Sequence, residues 1–252
     1  MPGTVHVSPF RGQWYPGDAG ELTRLLEARF RASEARLPYS PAQGAFAFVV
    51  PHAGIVYSGA VAAAVYRQVR EAAPERVFLL GFSHHGGSRG IFVPRGIAAY
   101  ETPFGRIAAD EDALAALSAS PGFLPAAEEE VCDHSVEIQL PFLQYAAPDA
   151  KVVPLYVNRP ADRDLAAAAA VLSGLAGPRD VLIASSDFTH YGHAFGYQPF
   201  PLDEDTAGRI SELDEEMMEA AGSLDPRFFL EALGRTGATV CGRDPIALLL
   251  AA

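Results

Sequence analysis

The sequence is short of several things, and each shortage removes a class of function. Only two of its 252 residues are cysteine, Cys132 and Cys241. That is too few for a disulfide scaffold, and the cytoplasm is the expected compartment. Lysine occurs once, at Lys151, and the other eighteen basic residues are arginine, so Schiff-base chemistry has a single candidate. Positive charge is scarce overall: 19 Lys and Arg face 31 Asp and Glu, a net charge of −12. Such a surface repels phosphate backbones and speaks against sequence-independent nucleic-acid binding. No apolar run approaches the roughly 18 residues of a transmembrane helix, so no membrane association is expected. The start, MPGTVHVSPF, lacks the basic-then-apolar pattern of a secretory signal. Neither HExxH nor CxxC is present, so no local motif announces a metal.

What remains is a globular composition, 49% hydrophobic and 20% charged. Helical spacing covers 19–36 behind Asp18, 55–72, 111–120, 134–146 behind Asp133, 161–176, 203–221, 225–235 and the stretch from Pro245 onward. Short apolar runs at 45–50, 76–82, 90–94, 151–157 and 180–185 read as strands, and 102–109 as a turn leading into an edge strand. Strands alternating with helices imply an α/β fold, with a mainly parallel or mixed sheet covered by helices on both faces. Ligands of such folds bind beyond the carboxyl ends of the strands.

Three of those ends carry chemistry. The first strand runs into Pro51-His52-Ala53-Gly54. The second runs into Ser83-His84-His85-Gly86-Gly87, and the strand at 180–185 into Ser186-Asp187-Phe188-Thr189-His190. Five of the seven histidines lie in or just beyond these segments, His134 opens a helix, and His6 lies elsewhere. One such histidine is ordinarily a loop residue bonded to backbone. Three strands delivering imidazole or carboxylate point to a clustered polar site, because neighbouring strand ends are about 5–10 Å apart. Cys241 precedes the last helix beside Arg243, a setting expected to favour the thiolate, which is a nucleophile and a soft ligand. The Glu128–Glu130 run reads as a solvated loop, and Cys132 beside it sits in an anionic setting and reads as structural or incidental. Trp14 and Tyr15 could pack on the core or line a pocket.

Taken in order, Gly12-Gln13-Trp14-Tyr15, Pro51-His52-Ala53-Gly54, Tyr57-Ser58-Gly59, GFSHH (81–85), Thr102-Pro103, DHSVEIQLPF (133–142), SSDFTHYG (185–192) and CGRDP (241–245) resemble the Memo family, including its AmmeMemoRadiSam system protein B group. The resemblance implies a fold related to class III extradiol dioxygenases, with residues 1–252 as a single domain lacking the family's C-terminal segment. It implies a metal held by His52, His84 and Cys241, Fe(II) first, with Cu or Zn also suited. Asp187, His190 and His134 would act as nearby acid/base groups. A radical-SAM system protein would be a partner. The leading expectation is a redox-active, dioxygenase-like oxidoreductase acting on an unidentified small molecule or peptide. The second is a scaffold that binds a peptide or anion in the same pocket. The third is a metal-dependent hydrolase. Residues 86–99 and 193–202 are expected to form the pocket rim.

Overall fold

The computed structural model describes residues 3–36, 46–85 and 88–252. Its strands are β1 (Thr4–Val7), β2 (Ala47–Val50), β3 (Arg76–Gly81), β4 (Gly90–Pro94), β5 (Ile97–Thr102), β6 (Gly105–Ala108), β7 (Phe123–Ala126), β8 (Lys151–Asn158) and β9 (Asp180–Ser185). Its helices are α1 (Ala19–Arg36), α2 (Ile55–Ala72), α3 (Glu111–Ser118), α4 (Glu128–Val131), α5 (His134–Glu137), α6 (Gln139–Ala146), α7 (Asp162–Leu175), α8 (Thr206–Gly222), α9 (Pro226–Thr236) and α10 (Arg243–Ala251).

Six strands form the main sheet in the order β2-β9-β3-β8-β4-β7. The first four are parallel, β4 runs antiparallel to β8, and β7 is parallel to β4. Alternation along β3 decides what covers the sheet. Val77 and Leu79 join a core with Leu22 of α1, Ile55 of α2 and Leu140 of α6. Phe78 and Leu80 face the other way, toward Leu117, Leu172, Met217, Phe229 and Ile246 of α3, α7, α8, α9 and α10. Strands buried on both faces have no polar face, which is why they read as continuous apolar runs.

A second sheet, β1-β5-β6, lies outside the single-sheet expectation. Its Ile97, Tyr100 and Ile107 join the core on the α1, α2 and α6 side. Three further expectations are corrected. The helix expected over 134–146 is interrupted at Ile138, because Pro141 has no N–H to offer the Glu137 carbonyl. The Glu128–Glu130 loop is the one-turn helix α4. The strand expected from residue 45 begins at Ala47, and residue 45 itself lies outside the described residues.

Candidate metal centre

Strand order places the site. β9 lies between β2 and β3, so the segments that follow these three strands emerge side by side. His52 follows β2, His84 follows β3 and Asp187 follows β9. α5 adds His134 from its first position, and Cys241 arrives just ahead of α10.

Each of His52, His84 and His134 offers a nitrogen within 4.8 Å of a nitrogen of the other two. The His52 ring stands edge-on to His84 at 5.5 Å and to His134 at 5.4 Å between centroids. His84 and His134 stack at 4.1 Å, and Trp14 stacks on the far face of His134 at 4.1 Å. Trp14 thus takes both roles open to it in the sequence, packing against the core and stacking on the site, whereas Tyr15 is buried in the core.

The rings are held by their other nitrogens. Asp133 Oδ1 accepts from His84 Nδ1 at 2.8 Å, and Oδ2 accepts from the His84 backbone N–H at 2.9 Å. A carboxylate beside Nδ1 puts the ring proton there and leaves the Nε2 lone pair for a ligand. Asp133 also caps α5 through Ser135 N–H and lies 3.2 Å from His134 Nδ1. His52 Nδ1 meets Ser185 Oγ at 3.1 Å, and Ser185 Oγ in turn accepts from Gln139 Nε2. Tyr66 donates to Gln139 Oε1, so this buried chain reaches from α2 through α6 to the end of β9.

His52 Nε2 points at Cys241 Sγ, 3.3 Å away. Asp187 links the two: its Oδ1 accepts from the backbone N–H groups of His52 and Ala53, while its own N–H donates to Cys241 Sγ at 3.3 Å. Gly242 makes this possible, because a Cβ there would lie 2.5 Å from Ser186 Cβ and 2.6 Å from Ser185 O. His190 is farther along the same loop. Its Nδ1 donates to the Thr239 carbonyl at 2.9 Å. His190 is not in the three-imidazole group; it faces Phe195. His85 is exposed at the cluster's edge.

Burial, followed by the neighbouring imidazoles, lowers His52 and His134 to about 4, against the pull of Asp187 and Asp133 respectively. Both are neutral at pH 7, as a metal ligand must be. Burial works against the Asp133 carboxylate, but the His84 hydrogen bond, the His134 charge and the Ser135 N–H together hold it at about 2. The expectation of a low-pKa Cys241 is corrected. Burial and the Asp187 charge push the thiol up to about 12, and the Arg243 guanidinium is drawn to Asp244 at 3.4 Å. Cys241 is thus a thiol that a cation would have to deprotonate, rather than a free nucleophile.

A cavity of about 760 Å³ opens at the other end of the main sheet, where β2 and β9 begin, between Phe46, Ala47, Pro178, Leu182 and Leu249. Among the described residues it holds no comparable cluster of donors, so chemistry and not volume identifies the site. Of the expected rim, 88–99 belong largely to β4 and β5, and residues 86–87 lie outside the described residues.

The family model for Memo-like protein matches residues 8–252. Protein memo-1 homolog of Caenorhabditis elegans is 32% identical over 251 residues, covering 96% of this chain and 69% of that protein. A MEMO1 family protein of Methanosarcina acetivorans is 35% identical, covering 96% and 83%. Protein MEMO1 of Danio rerio is 34% identical, covering 95% and 81%.

Proposed function

The chain belongs to the Memo family, and we propose that it is a redox-active metal protein whose centre lies between His52, His84 and Cys241. The observation that carries the reading is the 3.3 Å approach of Cys241 Sγ to His52 Nε2. The His52 ring in turn stands 5.5 Å from that of His84, whose Nδ1 is anchored on a buried carboxylate, although Cys241 itself is not in the three-imidazole group. The donor set fits a borderline transition metal: two neutral imidazoles and one thiolate suit Fe(II), with Cu and Zn as alternatives. Bound there, such an ion would supply Lewis acidity and, for Fe or Cu, electron transfer.

The chain's own residues do the rest. Asp133 sets the His84 tautomer and Ser185 positions His52. Asp187 fixes the spacing between His52 and Cys241 through backbone N–H bonds at both ends. His134, neutral and stacked between Trp14 and His84, stands where it can take or give a proton. His190, held by the Thr239 carbonyl, stands farther from the centre on the same loop.

A second reading rests on the three-imidazole grouping itself. If His134 replaces Cys241 as third ligand, the centre is a His₃ site suited to zinc and to hydrolysis. Anion or peptide binding has less support, because His52 and His134 are neutral and Asp133 and Asp187 bring negative charge.

Metal content after anaerobic purification separates these readings when wild type, Cys241→Ala and His134→Gln are compared. About one iron or copper per chain, lost in Cys241→Ala and kept in His134→Gln, supports the His₂Cys centre. The reverse pattern with zinc supports the His₃ centre. No metal in any of them, with native circular dichroism, moves the weight to ligand binding without metal.

A further inference from the structure

A second set of donors lies apart from the centre just described and shares no residue with it. His6 comes from β1, Cys132 from the turn after α4 and Glu137 from the end of α5. One ligand atom of each lies within 4.8 Å of the others. His6 Nε2 is 3.0 Å from Glu137 Oε1, and His6 Nδ1 is 3.3 Å from Glu128 Oε2. His6 and Glu137 are buried, Glu137 completely.

An ion pair between His6 and Glu137, with Cys132 as packing, accounts for only part of this. It satisfies Oε1 of Glu137 and leaves Oε2 buried with no hydrogen-bond partner among the described residues. A buried carboxylate oxygen without a partner is costly, and proteins rarely keep one without a use for it. The same carboxylate is grouped with a thiol and an imidazole nitrogen, one ligand atom of each within 4.8 Å of the others.

We propose that His6, Cys132 and Glu137 form a second metal site, for zinc, that ties β1 to α5. The donor chemistry selects the ion. One nitrogen, one sulfur and one carboxylate oxygen are the three donor types zinc takes. Thiolate and carboxylate together cancel the charge of a divalent cation, which a buried site requires. Glu128 completes the arrangement, because a carboxylate on Nδ1 orients the ring and leaves Nε2 to the metal. Calcium and magnesium are excluded by the sulfur and nitrogen donors. The role is structural: β1 belongs to the small sheet and α5 carries His134, so the ion would clamp the small sheet to the wall of the main centre.

The test uses Co²⁺ as a coloured stand-in for Zn²⁺. The His52→Ala/Cys241→Ser double variant of the 252-residue chain is stripped with chelator and titrated. The expected result is one Co²⁺ per chain with a thiolate-to-cobalt absorption band, displaced by Zn²⁺. The band should vanish in Cys132→Ser and weaken in His6→Gln, each checked for native circular dichroism. Absence of the band in the folded double variant overturns the proposal, and so does its persistence after Cys132→Ser. Should the double variant not fold, zinc is counted in the otherwise wild-type chain. There Cys132→Ser is expected to lower the zinc bound per chain by one, and an unchanged count overturns the site.

Discussion

Asp133 Oδ1 and His84 Nδ1 are 2.8 Å apart, and the other oxygen of the same carboxylate takes the His84 backbone N–H. One buried side chain thereby sets the ring's tautomer, its rotation and the path of the chain after β3. Asp133→Asn keeps the shape and removes the charge. Removing such a partner of a metal-ligating histidine costs about 10–100-fold in affinity. We expect a drop in that range for the main centre by calorimetric titration, with little change in secondary structure. An unchanged affinity would mean His84 is not a ligand.

The same residues set an acid profile for the metal-free protein. His134 is lowered to about 4 from 6.5, so the unfolded chain takes up that proton first. Its contribution is present above pH 6.5 and is lost as pH falls toward 4. Asp133 is lowered to about 2 from 3.8, so its contribution is present above pH 3.8 and is lost as pH falls through 2. Its size is about 2 kcal/mol. Urea unfolding across this range should show both limbs. His134→Gln should flatten the upper limb and Asp133→Asn the lower. A variant profile parallel to wild type would refute the assignment.

Gly242→Ala should damage the site without touching a ligand. The added methyl meets Ser186 Cβ and Ser185 O, which belong to the end of β9 and the turn beyond it. Overpacking of this kind costs about 1–3 kcal/mol. Relief requires α10 to move, and Cys241 moves with it. Metal affinity should fall together with melting temperature.

Arg76→Leu serves as the opposite control. Arg76 donates from Nε and Nη2 to the buried Asp180 carboxylate, where β3 and β9 begin. Removing one partner strands the other, at a cost of about 2–3 kcal/mol. The melting temperature should fall while metal content per folded chain stays constant, because the pair lies at the other end of the sheet.

How legible the sequence was depended on how far burial alone decides each element. Helices 19–36 and 55–72 and strands 90–94 and 180–185 coincide with α1, α2, β4 and β9, because their apolar spacing reports the core directly. β1, β5 and β7 gave no such signal. β1 carries His6, β5 mixes Ala, Tyr, Glu and Thr, and β7 contains Pro125, tolerable because β7 is an edge strand. Pro154 inside β8 is tolerated for a related reason: β4 pairs only with Tyr156–Asn158, beyond it. His52 and Cys241, adjacent here, were legible as site candidates. Asp133 was legible only as a helix cap, although capping and holding His84 are one act of the same carboxylate. Ser185 and Gln139 fall inside the motifs SSDFTHYG and DHSVEIQLPF, but their residue types announce no role there, since that role exists only once β9 and α6 meet.

The pairing of Cys241 with His52 spans 189 positions of chain. Closing so long a loop is entropically costly, and the parallel pairings of β3 with β8 and β9 are what hold the intervening chain together. A partly folded chain therefore carries Cys241 as an ordinary accessible thiol, open to sulfenic acid formation or mixed disulfides. The native fold withdraws it behind Asp187 and α10. Oxidative damage to this residue should thus track the time spent unfolded, making its redox state a record of folding history.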